Sequence, residues 1–106
     1  MLKKLVREEE LDSFLRSSND KLVLVKFFTS WCSPCHQLQR NIVELLSEKE
    51  NLIVIEVDAE KFPKLAQRSI FSVQSVPSLF LFHSGELVKK SVGNMSVQQL
   101  KDFVEI

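Results

Sequence analysis

The chain has 106 residues, 44% of them hydrophobic, enough to bury a core without disulfides, and it reads as one domain over residues 1–106. Its 14 basic and 14 acidic residues cancel to a formal net charge of +0, which argues against nucleic acid or an anionic membrane as partner, since both select a basic face. No apolar run approaches the roughly 20 residues of a membrane span, and residues 1–10, with Lys3, Lys4, Arg7 and three glutamates, hold no apolar leader stretch, so the expected compartment is the cytoplasm.

Leu2 to Val6 predicts a short edge strand. Glu8 to Arg16 predicts a helix, with Leu11, Phe14 and Leu15 on one face and Glu8, Glu9 and Glu10 in the dipole-positive first turn. Leu22 to Phe28 is nearly continuous apolar sequence, the pattern of a strand covered on both faces. From Pro34 a helix is expected to about Lys49, with Leu38, Ile42, Leu45 and Leu46 at i, i+4, i+7 and i+8. Leu52 to Val57 predicts a second buried strand, and Pro63 to Arg68 a short helix. Ser78 to Phe82, the turn Ser84-Gly85, and Glu86 to Val92 predict a β-hairpin. Ser96-x-x-Gln99 is a capping box opening a last helix, with Val97, Leu100, Phe103 and Val104 inward. The order β-α-β-α-β-α-β-β-α places the chain in the α/β class, a central mixed sheet with helices on both faces.

Both cysteines of the chain fall in Trp31-Cys32-Ser33-Pro34-Cys35, between the apolar strand and the following helix. At this spacing one helical turn brings the sulfurs within bonding distance. A cysteine at a helix mouth meets unpaired backbone N–H groups and the positive end of the dipole. Both favour the thiolate, which is the reactive form. In a reducing compartment such a pair is more often catalytic or metal-binding than structural. A zinc site needs about four ligands, and beyond the thiols the chain offers only His36, adjoining Cys35, and His83 at a strand end. The motif therefore reads as a dithiol that cycles with its disulfide, with no metal.

This element order, together with Trp31-Cys32-Ser33-Pro34-Cys35, resembles the thioredoxin family over essentially the whole chain. Val76-Pro77 matches the family's cis-proline step, Asp58 the acid ending the third strand, Ser84-Gly85-Glu86 the last hairpin turn, and Gly93 the glycine beside the substrate groove. The resemblance implies the thioredoxin fold, a mixed five-stranded sheet flanked by four helices. It also implies a monomeric protein-disulfide reductase without a bound cofactor, supplied with electrons by an upstream reductase such as a thioredoxin reductase. Cys32 is expected to be the more exposed thiol and the nucleophile, and Cys35, a turn deeper, to resolve the mixed disulfide. Trp31 is expected to shield the sulfurs and face the substrate, the competing reading being a core aromatic. Ser33, where the family usually has Gly, either donates to the Cys32 thiolate or faces water. The resemblance implies that Val76 and Pro77 form the other groove wall, the competing reading being a trans proline that breaks a loop, with Trp31, Ser33, Pro34 and Gly93 completing the substrate-binding set. A cis Pro77 leaves the Val76 backbone free to pair with an extended substrate.

Three further positions depart from the family pattern. His36 stands where Lys is frequent, and either lends charge to the thiolates or is solvated. Arg40 replaces the proline that kinks the second helix, so this helix is expected to run straight. Lys26 replaces a buried Asp six residues before the first cysteine. Inside an apolar strand a lysine must pair, lose its proton or reach solvent. Glu56 on the neighbouring strand is the candidate partner, a reversed ion pair that would tune the motif. Ser33 and Lys26 also support a rival reading, a thiol oxidase or isomerase on the same fold. A binding module that turns over no disulfide is the other alternative, disfavoured by the intact cysteine pair.

Overall fold

The computed structural model describes residues 1–105. In chain order these form β1 (Leu2–Lys4), α1 (Glu9–Ser17), β2 (Leu22–Phe28), α2 (Ser33–Leu46), β3 (Ile53–Asp58), α3 (Pro63–Gln67), β4 (Ser78–His83), β5 (Glu86–Val92) and α4 (Val97–Phe103). The five strands lie in the order β1-β3-β2-β4-β5. β1 and β2 run parallel to β3, while β4 is antiparallel to both β2 and β5. The mixed sheet expected from the sequence is thus the sheet observed.

Strand alternation sorts the core into two layers. Val23, Val25 and Phe27 of β2 face α1 and α3, joining Leu11, Leu65, Ile55, Val57, Phe80 and Phe82. Phe71 fills the centre of this layer, its ring 5.0 Å from Phe27 and 5.0 Å from Phe80. Leu24 points the other way with Val54, Leu79 and Leu81, under Leu38, Ile42 and Leu45 of α2 and Leu100 and Val104 from the α4 end.

Most element boundaries differ from expectation by one to three residues, and two of the shifts have a visible local cause. β1 stops at Lys4 because the Glu10 carboxylate accepts the N–H groups of Val6 at 3.2 Å and Arg7 at 2.8 Å, drawing the chain into α1. The bond from Arg7 is also the main cause holding the Glu10 carboxyl below its usual pKa. α2 ends at Leu46 because the Ser47 hydroxyl donates to the Glu44 carbonyl at 2.6 Å, competing with the helical ladder. β3 takes in Asp58, which pairs with Phe28, and begins at Ile53. β5 also carries an irregularity that the alternation did not announce. Lys89 opposes Leu81 but Leu87 opposes Phe82, so Val88 bulges out of the ladder.

The hairpin turn has positive φ at both residues, 53° at Ser84 and 81° at Gly85, as a two-residue turn of the primed type demands. At α4 the capping box is complete: the Ser96 hydroxyl accepts the Gln99 N–H at 3.1 Å and Gln99 Oε1 accepts the Ser96 N–H at 2.9 Å. Ser96→Ala is expected to cost about 1 kcal/mol of stability by loss of this cap. Urea unfolding measures it, and an unchanged midpoint would show that the cap does not hold α4.

Candidate functional site

Phe27 at the end of β2 lies opposite Ser78 at the start of β4. Whatever follows β2 therefore meets whatever precedes β4 at one end of the sheet. The cysteine motif follows the first, and Val76-Pro77 precedes the second. Their meeting is measurable: Cys32 Sγ lies 3.7 Å from the Val76 carbonyl oxygen, 44 residues away in sequence. The Val76-Pro77 peptide is cis.

Cys32 is the N-cap of α2, with extended backbone, and its sulfur accepts the Cys35 N–H at 3.2 Å. It thus occupies the position where a helix presents unpaired donors, and a negative sulfur is favoured there. Pro34 sits in the first turn, where its missing N–H leaves no gap in the ladder. Cys32 and Cys35 are joined as a disulfide, with Cα atoms 5.3 Å apart. The expectation that Cys32 is the more exposed of the two needs correction. The residues are 4% and 3% exposed, because the wall at Val76 covers Cys32 as fully as the helix covers Cys35. What separates them is side: Cys32 contacts Val76, and Cys35 lines a pocket on the opposite flank.

Trp31 is 69% exposed, so it is no core aromatic. With Thr29, Ala59, Gln74, Ser75 and Val76 it lines a cleft of about 510 Å³. Ser33 and Pro34 face solvent, and among the described residues the Ser33 hydroxyl makes no hydrogen bond. Gly93 has a φ of 98°, a left-handed conformation suited to glycine, and its N–H donates to the Pro77 carbonyl at 2.8 Å. That bond ties the start of the Gly93 loop to the cis-proline wall. Asp58 stands off this constellation and holds the β3–α3 turn, accepting the Glu60 N–H at 2.9 Å.

On the Cys35 flank is a second pocket, about 310 Å³, lined by Lys4, Lys26, Phe28, Thr29, Ser30, Cys35, His36, Gln39 and Glu56. Lys26 is 2% exposed and does not reach solvent. Its ammonium donates to Glu56 Oε2 at 3.0 Å and to Gln39 Oε1 at 2.6 Å. Lys26 and Glu56 are direct register partners across β2 and β3, so their side chains leave the sheet on the same face. Phe28 lies between two ammonium groups, Lys4 at 5.3 Å and Lys26 at 5.6 Å from its ring centre. Burial lowers the Lys26 pKa below the usual lysine value. The hydrogen bond and charge of Glu56 oppose that, and Lys4 adds to it. Gln39 was not singled out from sequence, although its spacing four residues beyond Cys35 puts both on one helix face.

The two histidines make their hydrogen-bond contacts away from the sulfurs. His36 is exposed, with a ring nitrogen 3.2 Å from the Ser30 carbonyl. His83 is at the far end of β4, with a ring nitrogen 3.0 Å from the Asp20 carbonyl. Among the described residues no three His, Cys, Asp or Glu side chains group to hold a metal. α2 continues unbroken through Arg40, whose guanidinium donates to Gln37.

The thioredoxin family model matches residues 3–106. A thioredoxin of Buchnera aphidicola is 39% identical over 87 residues, 81% of this chain and 78% of that protein. Thioredoxin 1 of Chlorobaculum tepidum is 35% identical, covering 91% of this chain and 93% of its own. Among solved structures, a mutant thioredoxin from Halobacterium salinarum superposes with a TM-score of 0.82 at 36% identity, over 97% of this chain and 87% of that one. A cysteine pair closed as a disulfide at a helix mouth is the chemistry of a thiol–disulfide oxidoreductase, and with these matches the chain belongs to the thioredoxin family.

Proposed function

We propose that the chain reduces protein disulfides in the cytoplasm, as a monomer of one domain without a bound cofactor, drawing electrons from an upstream thioredoxin reductase. The observation that carries this is Cys32 Sγ, held at the α2 mouth by the Cys35 N–H at 3.2 Å and facing the Val76 carbonyl. In the reduced protein the Cys32 thiolate attacks one sulfur of a substrate disulfide, and the other sulfur leaves as thiolate. Cys35, deprotonated, then attacks Cys32, closing the intramolecular disulfide and releasing the second substrate thiolate. Two electrons pass to the substrate, and the protein ends oxidised. Trp31, Ser33, Pro34, Val76, Pro77 and Gly93 form the substrate groove. An extended segment docks along the Val76 backbone in the manner of an added strand.

A second reading, oxidase or isomerase on the same fold, is favoured by one observation, the buried Lys26 ammonium on the Cys35 flank. Reduction potential separates the two: about −270 mV is typical of thioredoxin and about −180 mV of protein disulfide isomerase. The direct test of the first reading is insulin reduction driven by NADPH and a thioredoxin reductase. Turnover well above the uncatalysed rate is expected at neutral pH, with rapid alkylation of Cys32 ahead of Cys35 in the reduced protein. A protein that equilibrates with glutathione but never reduces insulin belongs to the second reading. One that does neither is a binding module.

A further inference from the structure

Lys26 is the largest fully buried polar side chain of the core, and the mechanism above gives it no task. Burying a charge is costly unless it is held by partners. Here the cost is met by Glu56 from β3 and Gln39 from α2. These two contacts fix the direction of the pair. The bond that joins it to α2 comes from the ammonium, through Gln39, one helical turn beyond Cys35. Glu56 lies on the β3 side, toward β1, where Lys4 is its register partner. The positive end of the pair is therefore turned toward the helix that carries Cys35.

We propose that the Lys26 ammonium is a tuning residue for the resolving step, stabilising the Cys35 thiolate and thereby making the dithiol a weaker reductant than the same fold would be without that cation. The inference rests on the dithiol function proposed above. The charged and titratable groups that line the pocket with Lys26 are Glu56 from β3, Lys4 from β1, and Cys35 and His36 from α2. Closing the disulfide removes the Cys35 negative charge, so only the reduced state gains from the cation. Stabilising the reduced state raises the potential. At acid pH, where Cys35 is protonated, the gain vanishes. It appears as pH rises through the Cys35 pKa and fades again when Lys26 itself loses its proton.

An opposite charge within about 4–6 Å moves a pKa by about 1–3. For two groups that line one pocket the lower end is expected, about a tenfold change in thiolate fraction. The decisive variant is Lys26→Met with Glu56→Met, which removes the pair as a unit and leaves no buried orphan charge. In a Cys32→Ser background a single thiol titrates, and its NMR titration should move up by about 1 in this variant. With both cysteines intact, the variant's glutathione equilibrium should favour its disulfide about tenfold more at pH values between the Cys35 and Lys26 titrations, about 30 mV for a two-electron couple. The two proteins should converge at acid pH. A titration that stays in place, or moves down, overturns the proposal. A second measurement needs no substitution. Coupling between two sites is reciprocal, so in the unaltered protein the Lys26 side-chain titration should move up when the disulfide is reduced. The same Lys26 pKa in both redox states overturns the proposal as well. Neither readout depends on turnover, so insulin reduction measured alongside judges the reductase reading separately.

Discussion

Cys35→Ser is expected to turn the protein from a catalyst into a trap. The variant keeps Cys32 at the α2 mouth, with the residue 35 N–H still aimed at its sulfur, so attack on a substrate disulfide proceeds. Release does not, because no second thiol displaces the bound chain. Insulin reduction falls to the rate of the buffer reductant alone, and a covalent adduct with the substrate accumulates toward one per molecule on non-reducing gels. Cys32→Ser should lose turnover equally but accumulate no adduct, since Cys35 faces the pocket of Lys26 and Gln39 and not the Val76 wall. Equal adduct formation by both variants would overturn the assignment of roles. Exposure alone could not have made that assignment, because the two residues are buried alike.

Phe27→Ala is expected to be the most damaging single change to stability. The side chain is fully buried, and its ring lies 5.0 Å from Phe71 and 5.7 Å from Phe80, the second contact edge-on. Truncation loses the transfer energy of the ring and leaves a hole that neighbouring strands, held in register on both sides, cannot close. The cost for such a change is about 3–5 kcal/mol, against a total of about 5–15 kcal/mol for a typical domain. A domain of this size loses about 4–8 °C in midpoint per kcal/mol, so a fall of 12 °C or more is expected by calorimetry. A loss near 1 kcal/mol would mean that Phe71 swings into the vacated space.

The frame of the molecule was legible because period and punctuation agreed. Leu22 to Phe28 carries no turn residue and only one charge, and it is β2 to the residue. Ser96 and Gln99 are the cap that their spacing announced. The groove was legible only by resemblance: nothing local in Val76-Pro77 says cis, or that it meets Cys32. Boundaries slipped where side chains took backbone partners out of the ladder, at Glu10 and Ser47. The bulge at Val88 was hidden because β5 alternates exposed and half-buried residues, a weak pattern that tolerates an extra residue. Lys26 drew attention as a charge in an apolar run, and Glu56 as its counterpart on the adjacent strand. Gln39 did not, since a glutamine on a helix is unremarkable until the helix is docked. Equal burial of the cysteines follows from the Val76 wall, a contact between segments 44 residues apart that no local pattern encodes.

The first strand has a reach beyond its three residues. Lys4 is the register partner of Glu56, and the Leu5 N–H donates to the Glu56 carbonyl at 2.8 Å. The backbone that carries the buried carboxylate is thus clamped between β2 and β1, and β1 is the outer, shorter and more exposed jaw. Segments of this kind open first in native-state fluctuations. β1 contributes one rung to Glu56 and one of the two ammonium neighbours of Phe28. The strand at this sheet edge thus supplies a backbone rung to Glu56 and, through Lys4, part of the wall of the pocket behind Cys35.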